Sequence, residues 1–158
     1  MHVETVIEDP RWEGLDLAHL AETAARASFD HLALSGLSLA CLGTDDARIA
    51  RLNAQFRTKP TPTNVLSWPS EELSPDTQGA APSPPTDPEI GDIALAYETC
   101  CAEAQTAGIA VSAHVTHLVI HGILHLLGYD HQTDKDADLM ENIEIAILMS
   151  LGIANPYG

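Results

Sequence analysis

The chain has 158 residues, 45% hydrophobic and 19% charged, which suffices for a buried core and excludes the composition of a disordered segment. Its net charge of −16 argues against a protein that grips nucleic acid tightly and non-specifically by its phosphates, since such proteins present a basic surface. No apolar run approaches a membrane span, and the acidic start MHVETVIEDPRWEG lacks the regions of a signal peptide, so a cytoplasmic protein without a membrane partner is expected.

In chain order, residues 3–8 alternate weakly and predict a first strand. Residues 15–29 are Ala-rich and repeat apolar residues at helical spacing, which predicts a helix. A short apolar run at 37–42 predicts a second strand. Thr44 or Asp45 can then cap a helix running to about residue 56, with Ile49 and Leu52 facing inward. Pro60 and Pro62 forbid its continuation, and residues 65–68 form a third short strand. Residues 70–88 are rich in Pro, Ser, Thr, Gly and Asp without periodicity and read as a flexible exposed loop. A fourth strand is expected at 90–96, then helices at 97–107, at 112–127 with Ser112 as its cap, and from Asp134 or Asp136 to 151. Strands early and helices late predict an α+β fold. The expectation is one domain over residues 1–158, with a small mixed sheet of about four strands packed against about five helices. Cys41, Cys100 and Cys101 make a poor disulfide framework and read as reduced core residues.

The chemistry concentrates at residues 121–131, HGILHLLGYDH. His121 and His125 are four residues apart and share one face of a helix. His131 reaches the same point only if the helix ends and the chain doubles back, and Gly128 stands where a left-handed backbone would allow that. Three imidazoles with an open fourth position are the pattern of a catalytic zinc, which activates a bound water. Metzincin peptidases share this spacing but carry their general-base Glu directly after the first His. Here that position is Gly122, so the metal is expected to serve another reaction. At about 100° per residue, His114 and His117 fall on the same face and read as hydrogen-bonding or cleft residues rather than ligands. The opposite face, with Val115, Val119 and Leu126, is expected in the core. Asp130 reads either as a residue orienting a ligand or as a turn former, and Tyr129 as a packing residue. The seven basic residues cluster in part: Arg48, Arg51, Arg57 and Lys59 could form a local positive site if that stretch folds beside the metal.

The run HGILHLLGYDH resembles the signature of the YbeY family of bacterial metal-dependent endoribonucleases. A second stretch, LNAQFR at 52–57 followed by PTNVLSWP at 62–69, resembles another signature of that family, with Pro60 where an Asp is common and Trp68 for the usual Phe. Gly91-Asp92-Ile93 and the ending with Leu151, Gly152, Asn155, Pro156 and Tyr157 extend the resemblance from about Leu52 to the end; the first fifty residues match only in general layout. The resemblance implies a single-strand-specific endoribonuclease in ribosomal RNA processing, at the 3′ end of the small-subunit species, and in ribosome quality control. Its partners would be single-stranded ribosomal RNA, the small subunit and its assembly factors. Arg57 and His121 would be catalytic, and one Zn²⁺ per chain would sit on His121, His125 and His131. The rival readings are a zinc-stabilised assembly factor without catalysis, whose metal would need a fourth protein ligand, and a metzincin-like hydrolase.

Overall fold

The computed structural model describes residues 1–57 and 63–158, with the side chains of Phe56 and Arg57 outside that description. Four strands form one sheet in the order β1-β2-β4-β3. They are β1 (His2–Ile7), β2 (Ser38–Thr44), β3 (Val65–Pro69) and β4 (Glu89–Ala96). β1 and β4 both pair parallel to β2, while β3 runs antiparallel to β4. The α+β expectation of a small mixed sheet thus holds. Six helices accompany it: α1 (Arg11–Gly14), α2 (Leu17–Leu32), α3 (Asp46–Arg57), α4 (Tyr97–Ala107), α5 (Val111–Leu126) and α6 (Asp134–Ser150). Among the described residues, no single helix is long and apolar enough to cross a membrane.

The sheet divides the apolar residues between its faces. Ile93 and Leu95 of β4 join the main core with α2 and α5, while Ala94 and Ala96 meet Ile49 and Leu52 of α3 on the other side. This alternation is the period-two geometry of a strand. α2 presents Ala21, Ala24 and Ala25, all 0% exposed, and so lies close against its neighbours. Each fully buried Leu or Ile contributes about 1.5–3 kcal/mol relative to exposure.

Helix ends differ from the expectations in instructive ways. Asp45 is the cap of α3, its Oδ1 accepting from the Arg48 N–H at 2.8 Å. Ser112 does not cap α5: the helix starts at Val111 after an extended Ala110, directly beyond the left-handed Gly108 that closes α4. Thr133, rather than Asp134 or Asp136, caps α6, accepting from the Asp136 N–H at 3.2 Å. The unexpected α1 is a single turn that buries Trp12, whose Nε1–H donates to the Thr44 carbonyl at 2.8 Å.

Residues 70–88 hold no helix or strand, yet their ends are drawn together. Glu71 accepts from the backbone N–H groups of Thr86 and Asp87 at 2.9 and 2.8 Å. Farther along, the Ser74 hydroxyl donates to the Gly128 carbonyl at 3.2 Å and the Gly79 N–H to Asp136 Oδ1 at 2.8 Å. This segment therefore leans on the turn after α5.

All three cysteines are free; Cys41 and Cys100 are buried and Cys101 is half-buried. Burial pushes the Cys41 thiol up to about 12 and raises Cys100 as well, so neither offers a thiolate at neutral pH. Native protein is expected to react with a thiol reagent at Cys101 alone, and at all three positions once unfolded. Mass spectrometry after brief labelling checks this, and rapid modification of Cys41 would contradict its packing.

Candidate metal centre

α5 is built as two faces. Val115, Val119 and Leu126 are at most 1% exposed in the core, as expected. His114, His117, His121 and His125 form a column on the other side, with successive ring centroids 6.2, 6.4 and 4.5 Å apart. The Nε2 atoms of His121 and His125 stand 3.0 Å from each other.

The helix then ends as its sequence requires. The Gly128 N–H donates to the His125 carbonyl at 3.1 Å and the Tyr129 N–H reaches back to the Leu124 carbonyl at 3.0 Å. This pair of bonds is a Schellman closure, which needs a left-handed residue at the turn. Gly128 supplies it with φ of +101°. The reversal returns His131 to the helix, its ring 5.5 Å from His121 and 5.0 Å from His125. One ligand atom from each of the three histidines lies within 4.8 Å of the others, and among the described residues no other His, Cys, Asp or Glu joins such a group. Asp130 accepts from the His131 N–H through Oδ1 at 2.7 Å and so shapes the turn. Tyr129 packs its ring against the core and offers its carbonyl to the site.

The protons on two of these rings follow from their neighbours. His121 Nδ1 lies 2.5 Å from the Glu144 carboxylate, which can only accept, so Nδ1 carries the hydrogen. His125 Nδ1–H donates to the Tyr129 carbonyl at 3.0 Å. In the neutral tautomers so fixed, both Nε2 atoms offer lone pairs, and they face each other across 3.0 Å. Two lone pairs at that distance repel unless a proton or a metal cation lies between them. The donor set thus fits a metal ion, and a borderline-soft one that accepts imidazole nitrogen. Burial, together with the facing His121 and His131, pushes His125 down to about 4, keeping it in the neutral form that ligates.

Gly122 lies against the sheet rather than the cluster. A Cβ there would meet Ile93 Cδ1 at 3.0 Å, so the position that carries the metzincin base is here a packing contact. His114 turns away to Glu103 at 2.8 Å, and Asn64 Nδ2 donates to the same carboxylate at 3.1 Å. His117 donates to Glu144 at 3.1 Å. Neither belongs to the ligand group. Beside His125 and His131 a cleft of about 310 Å³ opens, bordered by Ser67, Glu71, Leu73 and Tyr129.

Glu144 is the residue that sequence reasoning missed. Its side chain is fully buried, and besides His121 and His117 it accepts from the Tyr157 hydroxyl. Burial drives such a carboxyl upward, but the bonds from His117 and His121 outweigh this and hold it at about 2. A signal existed: with Met140, Ile147 and Leu148, Glu144 falls on the buried stripe of α6, where a charge calls for a partner.

Of the basic cluster, Arg48 lies 3.6 Å from Glu8. Arg57 is the last residue of α3, and its side chain is outside the description; Lys59 and Pro60 lie outside the described residues altogether.

Comparison with known proteins completes the picture. The family described as Endoribonuclease YbeY matches residues 6–152, so the likeness reaches through the first fifty residues, well beyond the signatures. The protein named Endoribonuclease YbeY of Jannaschia sp. (strain CCS1) is 51% identical over 99% of this chain and 100% of its own. That of Cereibacter sphaeroides is 55% identical over 98% of both. The solution structure of TM1509 from Thermotoga maritima superposes with a TM-score of 0.57 at 19% identity, covering 95% of this chain and 91% of its own, a likeness of fold. The chain belongs to the endoribonuclease YbeY family.

Proposed function

We propose that this protein is a zinc-dependent, single-strand-specific endoribonuclease. In this reading it matures the 3′ end of small-subunit ribosomal RNA and serves ribosome quality control in the cytoplasm, with the small subunit and its assembly factors as partners. The observation that carries the reading is the pair of bare Nε2 atoms on His121 and His125 with His131 folded back beside them. Membership of the family supports RNA as the substrate. His121, His125 and His131 would hold one Zn²⁺ per chain. Bound there, the ion supplies Lewis acidity and an activated water. His131, the exposed member of the three, borders the neighbouring cleft together with His125. Arg57, always charged and able to make two hydrogen bonds at once, would steady the phosphate as charge builds on it. With a net charge of −16, the isolated chain has little general attraction for RNA, and a ribosomal partner surface would supply the affinity.

Two rival readings receive less support. A structural zinc normally has four protein ligands, but His114 is engaged with Glu103, and Cys41 and Cys100 are buried elsewhere. A metzincin-type hydrolase would need a base where Gly122 packs on Ile93.

Arg57→Ala is the test. Cleavage of single-stranded RNA should fall by about 10²–10³-fold, the usual effect of removing one donor to a developing anion, with zinc content unchanged. Loss of zinc in that variant would sink the role given to Arg57. Cleavage that is unchanged in both Arg57→Ala and a ligand variant would identify a contaminating nuclease and leave the assembly-factor reading in front.

A further inference from the structure

Glu144 stands behind the three histidines, and the reading above gives it no task. Its carboxylate is fully buried, and among the described residues its only ion-pair candidates are His117 and His121. Hydrogen bonds from three groups reach its two oxygens: His121 Nδ1–H on one, His117 and the Tyr157 hydroxyl on the other. A buried carboxylate also needs positive charge nearby. The one direct route from Glu144 to the cluster runs through the His121 ring, whose Nδ1 faces Glu144 and whose Nε2 faces His125. Positive charge at that Nε2 would balance the buried carboxylate.

We propose that Glu144 is a positioning residue of the metal centre, and that Tyr157 of the carboxy-terminal tail holds it in place. The inference rests on the metal-centre reading above. Glu144 locks His121 in the Nδ1–H tautomer, aims its bare Nε2 at the ion, and sets a negative charge behind the ligand that favours a dication in front of it. The outer part of the network belongs to the tail. The Tyr157 ring meets His117 edge-on, with centroids 5.6 Å apart, and the Tyr157 N–H donates to Asn155 Oδ1 at 2.8 Å. Asn155 and Tyr157 thereby become outer parts of the proposed metal site.

The experiment is zinc affinity, measured by competition with a chromophoric chelator on the full chain, for wild type, Glu144→Gln and Tyr157→Phe. Far-UV circular dichroism serves as the fold control. Glutamine keeps the shape and removes the charge, so affinity should fall by about 10–100-fold. Tyr157→Phe removes one hydrogen bond and should weaken binding about 2–10-fold. Wild-type affinity in either folded variant overturns the proposal. If Glu144→Gln does not fold, Tyr157→Phe decides, because that side chain is half-exposed. Nitrogen-15 spectra of the metal-free protein give a readout independent of zinc: His121 should be the Nδ1–H tautomer, and an Nε2–H tautomer overturns the proposal. A wild-type chain that binds zinc but does not cleave RNA defeats the functional reading and leaves this one standing. A wild-type chain that binds no zinc defeats both.

Discussion

Replacing His125 with Ala is expected to strip the metal and abolish RNA cleavage while the chain stays folded. His125 supplies one of three converging nitrogens and is neutral at physiological pH, because its environment holds it at about 4. Deleting a direct ligand should exceed the roughly 10–100-fold effect of losing an outer hydrogen-bond partner. The structural cost is small by comparison. The side chain is half-buried, and its one backbone contact, to the Tyr129 carbonyl, is worth about 1 kcal/mol. A domain with about 5–15 kcal/mol of stability absorbs that. Zinc content and cleavage measured on one purified sample check the expectation. Wild-type zinc stoichiometry in this variant would mean that the metal is held elsewhere.

Gly128→Ala should be nearly as damaging, by a different route. At φ of +101° an L-residue is strained, at a cost of about 1–3 kcal/mol. The new methyl would also stand 2.8 Å from both the Leu73 carbonyl carbon and its Cβ. Overpacking of that kind adds about 1–3 kcal/mol unless the 70–88 segment moves away. His131 follows three residues later, so any shift of the turn carries it off His121 and His125. A lowered melting temperature together with weakened zinc binding is expected. An unchanged melting temperature would show that Leu73 yields freely and that the backbone at Gly128 tolerates a side chain.

Much of this was legible in the sequence, for local reasons. The histidine column and its core-facing counterpart follow from helical periodicity, and the reversal at Gly128 from the one residue type that tolerates it. Strands and helices fell within a few residues of their expected positions because their apolar runs are bounded by Gly, Pro and capping residues. What escaped was set by tertiary contact. A four-residue helix such as α1 is too short to show a period, and only the fold brings Trp12 under Thr44. The start of α5 was misread because Ser112 is a good cap by type, whereas the preceding Gly108 fixes where the chain can turn. Glu144 stands 23 residues from His121, a separation at which spacing carries no signal.

The two faces of α5 have a consequence for how the proposed metal site would load. Two of the three histidines ride on a helix whose reverse side is locked into the main core, and the third is returned by a hydrogen-bonded backbone turn. In a zinc finger the ligands are brought together only as the metal loads; here the main core and the hydrogen-bonded turn position the residues that would hold the ion. Loading of such a site would draw less on the energy of folding. Imidazole ligands suit several of the later first-row dications, so the ion held by the proposed site is expected to vary with the growth medium, which elemental analysis of protein from media of different metal content checks.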